Sequence, residues 1–336
     1  MKAFELSEAG GVDGLTINAE RAIREPAAGE VKVRVRAAAL NYRDLLIAKG
    51  GYRGGAIPRC IPLSDGAGEV AQVGPGVTRF KPGDRVIGAF FEDWAAGPIT
   101  PERAARGRGA AVDGMLAQCA VLSEHALVRT PAHLSDVEAA TLPCAAVTAW
   151  NALMEAGGLR AGETVLILGA GGVAIFALQL AKLLGARTII TSGSDEKIAR
   201  ARALGADEAI NYKTTPDWDR AVLGLTDGNG ADLVLELGGP GTLERSLRSA
   251  RVGGFVALIG VITGAAQIDP RPMLARWLRV QGIYVGSTEM FRAMNAAIGA
   301  FKLKPVVDSV FAFDEAREAY KRLESAKHFG KIVVTI

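Results

Sequence analysis

The chain has 336 residues, 49% of them hydrophobic and 22% charged, which is the composition of a globular protein too long for one ordinary core; two domains are expected. Its formal net charge is +3 with Lys and Arg scattered and no basic tract, so nucleic-acid binding has no electrostatic footprint. No apolar run reaches about 18 residues, so no membrane span is expected. Lys2 is followed by no apolar stretch, and the three cysteines (Cys60, Cys119, Cys144) form no C-x-x-C pair, so a reduced, cytoplasmic protein is the simplest reading.

The first ninety residues read as β-rich. Glu30 to Ala37 alternates strictly between apolar and charged residues, the mark of a strand with one wet face. Gly66 to Val73 is a glycine-laced strand closed by Gly74-Pro75-Gly76, and a Pro82-Gly83 turn feeds another strand ending at Gly88. Short strands with Gly/Pro punctuation predict a barrel-like β domain. Residues 91–114 lack periodicity and are either a solvated loop or a pocket wall carrying Phe90, Phe91 and Trp94. Leu116–Leu122 and Ala126–Arg129 read as returning strands.

Ser135 with Glu138 three residues on is a capping box opening a helix, and a second helix covers about 147–156. From Thr164 the pattern becomes β–α alternation. Strands are expected at 164–168, 188–191, near 209, 233–236, 255–259 and 280–285, with helices at about 195–204, 217–225 and 240–250. That is a doubly wound parallel sheet of six or so strands. The chain then reads helix (290–301), strand (306–311), helix (314–323) and strand (331–336), which returns it to the first domain. The expected division is 1–128, completed by 289–336, around a second domain at 129–288.

The stretch from Thr164 to Gly185 organises this second half. A buried apolar strand runs into Gly169-Ala-Gly-Gly-Val-Ala174 and then into a helix with Ile175, Leu178, Ala181 and Leu184 on one face. Strand, glycine turn and helix form the dinucleotide-binding fingerprint in its Gly-x-Gly-x-x-Ala form. Gly169 permits the turn, Gly171 lets backbone approach a pyrophosphate, and the N–H groups of Gly172 and Val173 at the helix start face the phosphates. The plainer alternative is a tight strand-to-helix turn of any α/β protein.

The chain resembles the medium-chain dehydrogenase/reductase superfamily over essentially its full length. The resemblance rests on Leu40-Asn-Tyr-Arg-Asp44, Ile61-Pro-Leu-Ser-Asp-Gly-Ala-Gly-Glu-Val70, Lys81-Pro-Gly-Asp-Arg-Val86, Ala139-Ala-Thr-Leu-Pro-Cys144, Thr148-Ala-Trp150, the glycine turn and His328-Phe-Gly-Lys331. It is most similar to the zinc-free quinone-oxidoreductase-like and alcohol-dehydrogenase-like branch. The implied fold is α/β, a parallel Rossmann sheet plus a discontinuous GroES-like β-barrel catalytic domain, and the implied assembly is a homodimer through the edge of the late strands. In zinc-dependent relatives four positions hold the catalytic metal, and these fall on Asn41, Ser64, Asp65 and Cys144. One thiolate and one carboxylate are too few for tetrahedral zinc, so no metal is expected.

NAD-preferring sites carry an acidic residue at the end of the second Rossmann strand, where it binds the ribose 2′-OH. Here that end is Ser192-Gly193-Ser194, with Lys197 and Arg200 within a turn to neutralise a 2′-phosphate, so NADP(H) is expected. The rival is Asp195 turning back to the ribose. Tyr212 matches a family tyrosine near the adenine, and Asn41, Thr148, Gly260, Val261 and Lys331 complete the expected cofactor contacts. Without zinc, a developing negative oxygen needs hydrogen-bond donors, for which Asn41, Tyr42 and Tyr52 are the candidates. The expected reaction is hydride transfer to a conjugated carbonyl, quinone or aldehyde. The alternatives are alcohol oxidation on the same fold and nucleotide binding without catalysis.

Overall fold

The computed structural model describes residues 1–7, 11–52, 57–264 and 267–336. Its contacts divide the chain into two compact units, Met1–Val147 with Gly286–Ile336, and Thr148–Val285. The first division falls at 147/148 rather than at the 128/129 read from sequence, because the helical segments Asp136–Ala139 and Leu142–Ala146 pack on strands of the first unit. The second falls at 285/286 rather than 288/289, because Ser287 caps the helix Thr288–Phe301, whose first two residues are bonded to Trp94 and Ala95 of the first unit.

Fifteen strands run through the described residues. In chain order they are β1 (Ala3–Leu6), β2 (Leu15–Asn18), β3 (Glu30–Ala39), β4 (Asp65–Val73), β5 (Arg85–Gly88), β6 (Cys119–Ser123), β7 (Leu127–Arg129), β8 (Thr164–Leu168), β9 (Arg187–Ser192), β10 (Glu208–Asn211), β11 (Ala231–Glu236), β12 (Ala250–Leu258), β13 (Arg279–Gly282), β14 (Val307–Phe311) and β15 (Lys331–Thr335).

In the first unit the sheet order is β14-β15-β3-β4-β5-β7, with β6 also on β3. The alternation of β3 is realised in space: Val31, Val33 and Val35 are buried while Arg34 and Arg36 face water. The late strand β15 pairs antiparallel with the end of β3, Val333 opposite Ala39 and Val334 opposite Ala38. That pairing closes the discontinuous unit and brings residues far apart in sequence to one end of the sheet. The stretch 91–114 buries its aromatic rings while its middle, residues 96–106, is largely exposed. Phe90, Phe91 and Trp94 are all buried and stack edge-on or tilted, ring centroids 4.7 and 5.5 Å apart. A short helix, Pro101–Ala105, starts from the side-chain cap of Thr100.

In the second unit six parallel strands take the order β10-β9-β8-β11-β12-β13. This is the doubly wound arrangement, whose topological switch lies between β8 and β11; ligands of such sheets bind beyond the carboxyl ends of the strands there. Val165, Leu166 and Ile167 of β8 are fully buried, as a strand covered on both faces must be. Among the described residues no helix is long and apolar enough to cross a membrane.

The helix Ala316–Glu324 seats Tyr320 in the first-unit core with 0% exposure, and its hydroxyl meets no hydrogen-bond partner among the described residues. An unpaired buried hydroxyl costs stability, whereas the ring contributes packing. Tyr320→Phe should therefore leave stability unchanged or raise it by up to about 1 kcal/mol in urea denaturation, where an ordinary hydrogen-bonded tyrosine would lose a similar amount. A loss above that would show that the hydroxyl is paired.

Candidate active site

In the second unit, Gly169 leaves β8 with φ of +81°, a conformation that an L side chain would strain. Its N–H is held by the Thr191 carbonyl of β9 at 2.9 Å. Gly171 then caps the helix Gly172–Leu183, and the first intrahelical bond runs from Ile175 N to Gly171 O. The N–H groups of Gly172, Val173 and Ala174 precede that bond and have no acceptor within the helix, which is the positive end an anion requires.

At the end of β9, Ser192 is buried and its Oγ accepts from Ser194 N at 3.3 Å, while Ser194 Oγ caps the next helix through Lys197 N at 3.4 Å. In both bonds the hydroxyl oxygen is the acceptor. Asp195 faces β10 instead, where Asn211 Nδ2 bonds its Oδ1 at 2.7 Å. Tyr212 is 44% exposed and lies over Gly193 so closely that a Cβ there would sit 2.6 Å from its hydroxyl. Thr148 is buried, Gly260 is tied to the Glu236 carbonyl at 2.9 Å, and Val261 is exposed.

Glu236, which the sequence analysis passed over, ends β11 with 0% exposure. Its carboxylate accepts from Gly238 N (2.7 Å), Gly239 N (2.8 Å), Thr242 Oγ1 (2.6 Å) and Ser246 Oγ. It thereby fixes the second glycine turn on the switch-point side of the sheet. The signal was present as an acid closing the apolar run Leu233–Leu235 before Gly238-Gly239-Pro240.

In the first unit, the ends of β3, β4 and β15 and the helix Tyr42–Ala48 bring together a buried polar cluster. Asn41 N–H donates to Asp44 Oδ2 at 2.7 Å and Asp44 N–H to Asn41 O at 2.9 Å, which starts the helix. Ser64 Oγ donates to Asp65 Oδ1 at 2.8 Å, and Cys144 N–H to Asp65 Oδ2 at 3.3 Å. Lys331, at the start of β15, is 2% exposed; its ammonium donates to Leu40 O (2.7 Å), Asn41 Oδ1 (2.5 Å) and Asp65 Oδ2 (3.3 Å). All three of these partners of Lys331 lie in the first unit.

Arg43 lies between two rings, its guanidinium carbon 4.6 Å from the centroid of Phe90 and 4.9 Å from that of Tyr52. Burial works against its charge, but Asp44 and Tyr52 hold its pKa above the ordinary guanidinium value. Tyr42 is 39% exposed at the head of the helix and Tyr52 is half-buried. The structure therefore gathers Asn41 and Lys331 into one cluster, sets Tyr52 beside Arg43, and leaves Tyr42 facing outward. Burial and the Asp65 carboxylate push the Cys144 thiol far up, so it is a neutral thiol at ordinary pH. Among the described residues no three His, Cys, Asp or Glu side chains converge as a metal site. The set of Asn41, Ser64, Asp65 and Cys144 does not fit tetrahedral zinc.

Burial pushes the Asp44 carboxyl up to about 6; Arg43 pulls it back down and Asp65 adds to the rise. A carboxyl whose folded pKa exceeds its unfolded value near 3.9 favours folding below that value, and this contribution is lost as pH climbs through 6. Against Asp44→Asn, the wild-type advantage should fall by about 2 kcal/mol from pH 4.5 to 7.5 in urea unfolding and then level off. A difference independent of pH would place the Asp44 pKa at its unfolded value.

Residues 27–132 match the family model for the alcohol dehydrogenase GroES-like domain, and residues 172–300 that for zinc-binding dehydrogenase. A zinc-type alcohol dehydrogenase-like protein of Schizosaccharomyces pombe is 44% identical, covering 92% of this chain and 91% of the relative. A quinone oxidoreductase of Pseudomonas aeruginosa is 33% identical over 92% of each. The crystal structure of an NAD-dependent alcohol dehydrogenase superposes with a TM-score of 0.91 at 35% identity, covering all of both chains. The chain belongs to the medium-chain dehydrogenase/reductase superfamily and is an oxidoreductase of a family that depends on nicotinamide nucleotides.

Proposed function

We propose that the protein is an NADPH-dependent reductase that transfers hydride to a conjugated carbonyl, quinone or aldehyde without a metal ion. The observation that carries this reading is the ammonium of Lys331, bonded to Asn41 and Asp65, two of the four positions at which zinc-dependent relatives hold their metal. A cation already fills the charge requirement of that cluster.

When bound, the nicotinamide nucleotide supplies the hydride. The chain's own part is to bind and to stabilise charge. The N–H groups at the start of Gly172–Leu183 take the pyrophosphate, and Tyr212 takes the adenine end. Ser192 and Ser194, with Lys197 and Arg200 on the following helix, take the 2′-phosphate. The bond between Asp195 and Asn211 supports NADPH, because it turns the nearest carboxylate towards β10. The NAD dependence of one solved relative at 35% identity does not decide the preference of this chain, whose β9 ends in serine. On the acceptor, Asn41 donates to the oxygen that gains negative charge, and Tyr42 and Tyr52 are the hydroxyl donors that can return a proton.

The reading extends to assembly: a second copy of this chain pairs along β13. That strand is the edge of its sheet, and Leu274 and Trp277 beside it are 79% and 81% exposed. Light scattering should give twice the chain mass, reduced towards the single-chain value by Trp277→Glu.

The central test is NADPH and NADH consumption against quinones, enones and aldehydes, with zinc assayed on the same sample. Faster NADPH turnover with no stoichiometric zinc is expected. Zinc at one per chain, alcohol oxidation outrunning enone reduction, or no turnover would each overturn the proposal. Ser192→Asp should shift the ratio of kcat/KM values towards NADH by at least about tenfold, equivalent to ~1.4 kcal/mol.

A further inference from the structure

The Lys331 ammonium carries only donors, so whichever atom of Asn41 it meets at 2.5 Å must be the carbonyl oxygen. This settles the orientation of an amide whose two ends are otherwise alike in shape. Asn41 Nδ2 is then the donor end. One of its hydrogens points towards Ser64 Oγ at a long 3.5 Å, and among the described residues the other meets no acceptor. The clamp is rigid: Leu40 O and Asp65 Oδ2 hold the ammonium from two other sides, Asp65 is itself held by Ser64 and Cys144 N, and Lys331 and Asp65 are 2% and 0% exposed. A positive charge on the oxygen of an amide draws electron density from its nitrogen and strengthens the N–H groups as donors, an effect that a dry site enlarges.

We propose that Lys331 is a positioning residue that acts through Asn41. It fixes Nδ2 as the donor end of the amide and polarises it, so that Asn41 becomes the principal donor to the acceptor oxygen while hydride reaches the β-carbon of the conjugated acceptor, the C=C pair shifts into the bond between the α-carbon and the carbonyl carbon, and the carbonyl π pair moves onto that oxygen, the resulting enolate being protonated afterwards. The inference rests on the proposed reading that Asn41 meets this oxygen. It assigns Lys331 a role in transition-state stabilisation rather than in holding the nucleotide, and it ranks Asn41 above Tyr42 and Tyr52.

The test uses the full chain with NADPH and cyclohex-2-enone or 1,4-benzoquinone. Lys331→Met alone strands the Asp65 carboxylate, so the neutral pair Lys331→Met/Asp65→Asn is compared with it, and Asn41→Leu is made in each background. The neutral pair is expected to lower kcat by at least about tenfold, less than the roughly hundredfold or more lost when an oxyanion donor is removed outright, with the NADPH Kd unchanged within about threefold. Adding Asn41→Leu should then cost nothing further, since groups acting as a unit are not additive. Losses that multiply, or a neutral pair with wild-type kcat while Asn41→Leu is impaired, would overturn the role of Lys331 and leave the reading of Asn41 intact. An active Asn41→Leu, or no turnover by the wild type, would overturn both. A readout independent of turnover is the side-chain amide pair of Asn41 in the ¹⁵N spectrum, assigned by its absence from Asn41→Leu. It should move upfield in the neutral pair, and an unmoved pair would refute the polarisation.

Discussion

An ammonium buried to 2% exposure has to be surrounded by acceptors, and that requirement on Lys331 organises the first unit. Leu40 O is available because β3 has just ended, Asp65 because β4 has just begun, and Lys331 itself because β15 pairs antiparallel with β3. None of these three strands positions the charge alone. The return of the chain from the second unit to complete the first is therefore a condition of the site as well as a feature of topology. Around Lys331 the charges balance: Lys331 and Arg43 are set against Asp44 and Asp65, all four with side chains less than a tenth exposed. Removing any one leaves an uncompensated buried charge, which is costlier than the pair itself is stabilising.

The second unit solves a different problem with the same economy of donors. Its task is to present backbone N–H groups where two strands diverge, and two glycine turns do so. The first, after β8, is shaped by a positive φ at Gly169. The second, after β11, is shaped by the carboxylate of Glu236, which collects two backbone and two hydroxyl donors. A carboxylate with four donors fixes the loop as firmly as a backbone constraint would, and it does so from inside the protein, with no surface exposed to a ligand.

What was legible in the sequence follows from how local the cause of each element is. The alternation of β3, the apolar run and glycine turn of β8, and the box of Ser135 with Glu138 are causes written within a few residues, and each element stands where the pattern puts it. The helix Tyr42–Ala48 is only seven residues long, and its start depends on Asp44 and on Asn41, which the sequence offered as a hydrogen-bond donor to substrate. The helical turns at Leu142–Ala146 and Asn151–Glu155 are wider than an α-helix, and no residue pattern announces that. The burial of Phe90, Phe91 and Trp94 is a tertiary fact: the stretch folds back on itself, with Phe91 bridged to Gly107 and Arg108 to Val112. Within the site, the residue types around Asn41 were visible while the direction of Lys331 was not, because its partners lie some 270 to 290 residues away in sequence.

That distance bears on how this chain, on the proposed metal-free reading, differs from a metal-dependent relative. Replacing a cysteine by Asn41 and a histidine by Ser64 removes ligands, but it also removes the cation that made the site positive. A buried Asp65 left without that cation would be raised in energy by its own desolvation, and Asn41 would have no fixed orientation. Lys331 answers both needs through a strand that lies at the far end of the chain. The substitution is therefore a change of three strand ends together, and a single return from Asn41 to cysteine would add a thiol to a cluster whose positive charge is already supplied. On the proposed reading, metal independence belongs to the cluster as a whole, and reversing it would take the exchange of Lys331 along with the ligand positions.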